Sequence, residues 1–372
     1  MAKIDGCHQR ALLVVCAALC AVLAWTPDAS SQEAVATVLD HSDLYGRIEY
    51  LEGQVARLTQ PGTVHSGVNI DCQTCELTPL ACPTWSASLD GLYWKPRQRG
   101  LDYAVTEDGS SLILGQGQIH NLDFDRDSGF RLAMAHLTKT GWTVRAAFTM
   151  FDTDGSALAQ RPDGVGQLFA TRSHPSGTSD EAETATAFGS IDYKTFDLTA
   201  ERFVFQNRFA SVATFAGIRW VEIDQQLDLR YDGRDFDNGR IWDQTNMDGF
   251  GLRMGSQSTW HMTKGFSLFG SLAGGLTYGR HDMRFSESNI DETVSIVDVR
   301  DQYDEAVGSL EATAGLNWTC RNVSVGLGYE MIKWFNVGER SMFVDNVREG
   351  AYASLSKDLL LEGLFVNFTV TR

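Results

Sequence analysis

Apolar and polar residues alternate along most of the chain after residue 84. Segment 141–151 shows the pattern clearly, because its apolar residues Trp142, Val144, Ala146, Phe148 and Met150 alternate with Thr143, Arg145, Ala147 and Thr149. A period of two predicts a β-strand with one apolar and one polar face. The apolar face would meet a second sheet in a soluble sandwich, and lipid in an outer-membrane barrel.

Ten segments with this alternation are predicted to be strands: 85–94, 121–137, 141–151, 190–205, 209–223, 248–261, 266–278, 303–319, 323–335 and 358–371. Short turns between them alternate with five long polar loops, at 96–120, 152–187, 224–246, 280–302 and 336–357. Outer-membrane barrels alternate short periplasmic turns with long external loops and have an even number of strands. The sequence therefore predicts an all-β fold, a single antiparallel transmembrane β-barrel of about ten strands over residues 85–372. Further strands within 101–115 or 349–357 would give twelve, and a soluble sandwich is the alternative.

Composition and the positions of aromatic residues agree with a membrane barrel. The chain has 372 residues with 35 Gly, and its net charge of −17 argues against nucleic acid as a partner. Trp and Tyr lie near predicted strand ends, as expected for interfacial girdles. These residues are Trp85, Trp94, Trp142, Trp220, Trp260, Tyr278, Trp318 and Trp334.

The N-terminal region has three predicted parts. Residues 1–36 have a basic start and an apolar core at 11–25, which is typical of a signal peptide, with an uncleaved anchor as the alternative. Residues 37–60 place Leu44, Ile48, Leu51, Val55 and Leu58 at coiled-coil spacing. They form either an oligomerisation stalk, for example of a homotrimer, or one amphipathic helix packed on the domain. Residues 61–84 are predicted to be a periplasmic linker.

Four cysteines remain after removal of the signal peptide: Cys72, Cys75, Cys82 and Cys320. An even number in an exported chain predicts disulfides, and the alternative for Cys72 and Cys75 is half of a zinc or redox site. All four are expected on the periplasmic side. We therefore expect one disulfide to join the linker to the barrel through Cys320, and another to close a loop within the linker.

Charged residues on the polar faces of the strands are the candidate lumen residues: Arg131, Arg145, Arg253, Glu311 and Glu330. In an open pore such residues set the field that an ion meets, whereas narrow barrels are filled by their side chains. We expect a porin for passive diffusion of small solutes or ions. The alternative is a filled structural or adhesin-like barrel whose long loops bind partners.

Motifs for other chemistry are absent from the sequence. It has no G-x-S-x-G or H-E-x-x-H motif, so an enzyme is not expected. The aspartates of 123–127 and 152–154 lack the full spacing of a calcium loop, so neither a metal nor a cofactor is expected.

Several segments resemble a known family. WSASLDGLYW, LDFDRDSGFRLAMAHLTKTGWTVRAAFTMF, AGIRWVEIDQQL, GFGLRMGSQSTWHMTKGFSLFGSLAGGLTYG, SVGLGYEMIKWFN and EGLFVNFTV are similar, in this order, to the Legionella-type pore-forming outer-membrane proteins. The resemblance implies a porin-like barrel in a Gram-negative-type outer membrane. Gly363, Val366 and Phe368 resemble the C-terminal signal that the barrel-assembly machinery reads, although 369–372 follow the aromatic residue. Expected partners are therefore this machinery and outer-membrane lipid.

Overall fold

Thirteen strands form the described part of the chain. The computed structural model describes residues 84–107, 109, 117–175, 180–263, 265–344 and 351–372. The strands are β1 (Thr84–Gln98), β2 (Asp102–Glu107), β3 (Gln118–Asn121), β4 (Asp127–Leu137), β5 (Trp142–Gln160), β6 (Gln167–Ala170), β7 (Thr184–Gln206), β8 (Ala210–Gly233), β9 (Phe236–His261), β10 (Phe266–Asn289), β11 (Val294–Cys320), β12 (Val323–Phe343) and β13 (Tyr352–Thr371). Within these residues, no helix has both the length and the apolar character needed to cross a membrane.

Ten of the strands form a closed antiparallel barrel. Each pairs with its neighbours in the order β1-β13-β12-β11-β10-β9-β8-β7-β5-β4, and β4 returns to β1. Two backbone hydrogen bonds complete the seam between β1 and β13: Trp85 N to Arg372 O at 2.8 Å and Arg372 N to Trp85 O at 2.7 Å. Residues 369–371 are therefore part of the closing strand, and Arg372 pairs with β1 just beyond its end. The predicted all-β barrel of ten strands is confirmed.

The outward face of the barrel carries an apolar belt. On β5, Trp142 and Val144 are each 41% exposed, whereas the inward Thr149 is 3% exposed. The belt extends from Leu268 to Tyr278 on β10 and from Leu364 to Val370 on β13. So large an apolar surface is unfavourable in water, so this face meets lipid.

Two of the predicted long loops are strands that continue beyond the belt. Only residues 234–235 separate β8 from β9, and only 290–293 separate β10 from β11. The inward positions stay apolar there, as at Leu229 and Ile241, both fully buried. Outside the lipid the outward face becomes polar, and this made 224–246 and 280–302 look like loops. That prediction was wrong. Segment 336–357 is also mostly strand in its described residues, because β12 and β13 cover its two ends.

A small sheet fills one end of the barrel. The short turns, the start of β1 and the end of β13 lie at one end of the barrel, which we call the turn end; we call the opposite end the extension end. There, the described residues of 99–126 and 161–183 form the plug, with strand order β3-β2-β6. Its Leu122 and Phe124 are buried, and a Cβ on the wall residue Gly189 would come within 2.5 Å of Leu122. The predicted strand 121–137 therefore begins only at Asp127, because 122–126 insert into the interior.

Candidate functional site: the barrel interior

All five predicted lumen residues line one interior cavity. The cavity has a volume of about 360 Å³ and includes Arg131, Arg145, Arg253, Glu311 and Glu330 in its wall. Strand alternation places each of them inward. We call this cavity the vestibule. Its serine- and threonine-rich part lies towards the turn end. Conduction through it stays a prediction.

Arg131 is the centre of one buried ion-pair group. Its guanidinium lies 3.2 Å from a carboxylate oxygen of Asp90 on β1 and donates to both carboxylate oxygens of Glu330 on β12 at 3.1 Å. Nε also donates to Thr149 Oγ1 at 3.1 Å, and Asn367 Nδ2 donates to Asp90. Both carboxylates are therefore paired, as a buried charge requires.

A second ion-pair group crosses the lumen. Arg219 on β8 donates to the two carboxylate oxygens of Asp197 at 2.6 and 2.8 Å, and also to Glu311 on β11. Arg253 on β9 donates to the same Glu311 at 3.1 Å. Since β8 and β11 are not neighbours, these bonds join separate parts of the wall.

The vestibule also contains charge outside these groups. Arg145 makes no hydrogen bond or ion pair with any described residue. Nearby, Gln257 Nε2 donates to Glu201 at 2.6 Å. The vestibule is therefore polar, with one free guanidinium.

Four aromatic side chains lie directly beyond the ion pairs. Trp94, Phe151 and Trp334 are 0% exposed and Tyr193 is 1% exposed. Ring centroids are 5.3 Å apart for Trp94 and Phe151, 6.1 Å for Trp94 and Tyr193, and 6.4 Å for Tyr193 and Trp334. The rings come from β1, β5, β7 and β12, so they span the lumen as one aromatic layer.

The aromatic layer contacts the ion-pair groups, and two of its residues contradict the girdle prediction. Each tryptophan has a guanidinium carbon 5.8 Å from its ring, Arg131 on Trp94 and Arg219 on Trp334. Both tryptophans were predicted to lie in the girdles, but they point inward. By contrast, Trp85 and Tyr278 are 57% and 63% exposed on the outward face.

Sequence reasoning missed several interior residues, and one signal could have found some of them. Inward positions of 85–94 run Ser86, Ser88, Asp90, Leu92 and Trp94, changing from polar to apolar along one face. This change marks the height at which the aromatic layer begins. Arg219, Asp197 and Tyr193 have the same inward alternation on their own strands.

Buried polar contacts hold the plug to the wall. Arg172 of the plug lies 2.6 Å from Asp243 on β9, and the two side chains are 1% and 5% exposed. Arg340 on β12 pairs with Asp102 of the plug and donates to Thr171 O at 3.2 Å. The two pairs therefore hold one residue from each of the two plug segments.

Two further wall strands bind the plug. The Tyr231 hydroxyl on β8 donates to Tyr103 O at 2.6 Å. Glu287 on β10 accepts from Ser173 Oγ at 2.8 Å and His174 N at 2.7 Å. Burial raises the pKa of Glu287. The plug is therefore attached to β8, β9, β10 and β12.

Lys357 is a buried amine beside these contacts. It lies on β13 beyond the belt and is 8% exposed. Burial, together with the Arg172 guanidinium, lowers the pKa of Lys357 to about 7. Among the residues described, no carboxylate forms an ion pair with it, because Asp243 and Asp102 are already paired.

The other predicted sites are only partly described. Gly363 points inward opposite Trp94, while Val366 and Phe368 are 39% and 47% exposed in the belt; their reading by the assembly machinery stays a prediction. Cys320 ends β11 beside a short turn. Its predicted partners Cys72, Cys75 and Cys82, the coiled-coil positions and the signal peptide lie outside the described residues.

Solved structures with some likeness to the chain are bacterial outer-membrane proteins. The outer membrane protease OmpT from Escherichia coli is 11% identical, with a TM-score of 0.44, covering 81% of this chain and 100% of that one. The translocator domain of the autotransporter NalP from Neisseria meningitidis is 12% identical, with a TM-score of 0.33, covering 89% and 95%. A major outer membrane protein from Thermus thermophilus is 10% identical, with a TM-score of 0.30, covering 78% and 100%. No curated protein matches the sequence.

A family match covers the whole barrel. Residues 77–371 match the family described as the Legionella pneumophila major outer membrane protein precursor. The match confirms the resemblance of the strand segments and the expected location in the outer membrane. The chain belongs to the Legionella major outer membrane protein family.

Proposed function

We propose that this outer-membrane β-barrel protein is a closed barrel that supports an extracellular binding surface, without a catalytic role. The observation that carries the proposal is the aromatic layer across the lumen. Trp94 and Trp334 have no exposed surface, the ion-pair groups lie on one side of them, and the plug lies on the other. A hydrated solute could cross the barrel only by separating the ion-pair groups, the aromatic rings and the plug.

The extracellular surface that we propose for binding is rigid. Short turns of outer-membrane barrels are periplasmic, so the extension end faces outward. There, the tips of the β8–β9 and β10–β11 hairpins are joined: Asp291 N donates to Asp237 O at 2.8 Å and Asn238 Nδ2 donates to Asp291 at 2.6 Å. Asn289 Nδ2 also donates to Asp235 O at 3.0 Å. A preorganised surface loses little conformational entropy when a partner binds.

Single-channel recording in a planar bilayer tests the closed barrel. We expect refolded wild-type protein to give no discrete steps, and the W94A/W334A variant to conduct. The control W85A/W260A removes two outward tryptophans and should stay silent. Heat-modifiable gel mobility shows that each variant is folded. Reproducible steps from the wild type would reject the proposal.

Passive diffusion of small solutes or ions is the second candidate function. It is supported by the vestibule, a polar cavity that reaches from the turn end to Arg219 and Glu311. Diffusion would require the aromatic layer and the plug to move. The acidic long loops would then favour cations. A reversal potential that shows anion selectivity would contradict this preference.

A further inference from the structure

The hairpin between β7 and β8 extends beyond its neighbour at the turn end. The last pair of β7 with β5 is Arg202 with Trp142, but β7 continues to Gln206, paired with β8. The extra residues are apolar and exposed, with Phe203 at 44% and Phe205 at 52%. A register shift between these two phenylalanines turns the strand locally. The tip therefore presents aromatic side chains to its surroundings.

Two arginines frame this tip. The Arg202 guanidinium carbon lies 5.5 Å from the Trp142 ring, and that of Arg208 lies 4.3 Å from the Phe209 ring. In the part of the chain that the structure describes, neither arginine has an ion-pair partner. The tip is fixed by Asn207, whose Oδ1 accepts from the backbone N of Phe209 at 2.8 Å. Two free cations are thus held beside apolar rings.

The charge of the turn end differs from that of the whole chain. The four short turns, 138–141, 207–209, 262–265 and 321–322, each contain one basic residue and no acidic residue, although the chain has a net charge of −17. The electrostatic field at this rim therefore favours an anion.

We propose that the β7–β8 tip binds anionic phospholipid of the periplasmic leaflet. Phe205 and Phe209 enter the acyl boundary, and Arg202 and Arg208 bind the headgroup phosphate. The tip continues the lipid-facing belt, since Arg202 lies in register with Trp142. Arginine suits phosphate because its planar guanidinium donates two parallel hydrogen bonds. A zwitterionic headgroup has its own ammonium, so an anionic lipid gains more from the two arginines.

Lipid retention in native mass spectrometry tests this site. The full-length refolded protein is incubated in detergent with equal amounts of phosphatidylglycerol and phosphatidylethanolamine that carry the same acyl chains. We expect the wild type to retain phosphatidylglycerol about tenfold over phosphatidylethanolamine, and R202Q/R208Q to retain the two about equally. R280Q/R284Q removes two arginines from β10 beyond the belt and should keep the preference.

A second measurement needs no variant, so it stands even if R202Q/R208Q fails to fold. Raising NaCl from about 0.1 to about 1 M should remove the wild-type preference, because salt screens exposed charges. F205S should lower the retention of both lipids. An equal retention of the two lipids by the wild type, or a preference unchanged in folded R202Q/R208Q, would overturn the proposal.

Discussion

Replacing Lys357 with methionine tests whether the interior beyond the belt is dry. A Lys side chain in a water-filled lumen would keep its ordinary pKa near 10.5. In the closed barrel, burial and the neighbouring Arg172 lower the pKa of Lys357 to about 7. Methionine has a similar length and carries no charge, so K357M removes the cost of burying the ammonium and keeps most of the packing.

The sign and size of the effect follow from proton linkage. Between pH 7 and 10.5 the unfolded chain holds a proton on Lys357 that the folded chain has released, so the stability of the wild type rises with pH in this window. At about 1.4 kcal/mol for each pH unit, the whole window is worth up to about 5 kcal/mol. The cost of burying the charged amine is complete below pH 7 and vanishes above pH 10.5. K357M should therefore be more stable than the wild type by several kcal/mol at about pH 6, and the difference should shrink towards about pH 10.

Urea unfolding from about pH 6 to about pH 10, followed by heat-modifiable gel mobility, measures this difference. The matched control is K333M, because Lys333 is 41% exposed and pairs with Asp358 on the surface. Its stability should run parallel to that of the wild type. Parallel curves for K357M and the wild type would refute a dry interior and favour a hydrated lumen.

Three further predictions concern closure, the plug and assembly. G363V should block folding, because a side chain at this position would overlap the backbone of β1. The control G91V should fold, since nothing lies within 4 Å of a Cβ at that position. Heat-modifiable gel mobility distinguishes the folded from the unfolded variant. R172M should lower the free energy of unfolding in urea by about 3–5 kcal/mol, because it leaves Asp243 buried and unpaired. The double variant R172M/D243L should recover most of the lost stability, because it removes the unpaired charge as well. F368S should lower the yield of membrane-inserted barrel in cell fractionation, and a normal yield would exclude Phe368 from the assembly signal.

The barrel could be predicted from the sequence because lipid imposes a simple rule on each strand. Between 142 and 150 every outward residue is apolar, so the period of two is visible in the letters alone. At 224–246 the outward face meets water instead of lipid, and its residues become polar. Apolar residues then recur at every second position only on the inward face. Loop length was therefore overestimated where the solvent changed along a strand.

The interior could be predicted only in part. Charged residues on polar faces identified Arg131 and Glu330, but they are 199 positions apart and their pairing depends on barrel closure. Trp94 and Trp334 looked like girdle residues because their distance from the strand ends says nothing about which way they point. That direction depends on the strand register. Asp90 and Trp94 are four residues apart on one strand and so share a face, and the inward position of Asp90 would therefore have placed Trp94 inward.

The unequal height of the apolar belt has a consequence for how the barrel sits in the bilayer. At a strand tilt of about 40°, the stretch from Leu268 to Tyr278 covers about 25 Å of membrane, but that from Leu364 to Val370 covers only about 15 Å. Beyond the shorter stretch, Arg97 and Glu362 already form an ion pair on the outward face. A uniform bilayer cannot match both sides, so it thins beside β13 or the barrel tilts. Thinning would place the seam strand β13 against compressed lipid, where a newly made barrel has the least hydrocarbon to displace.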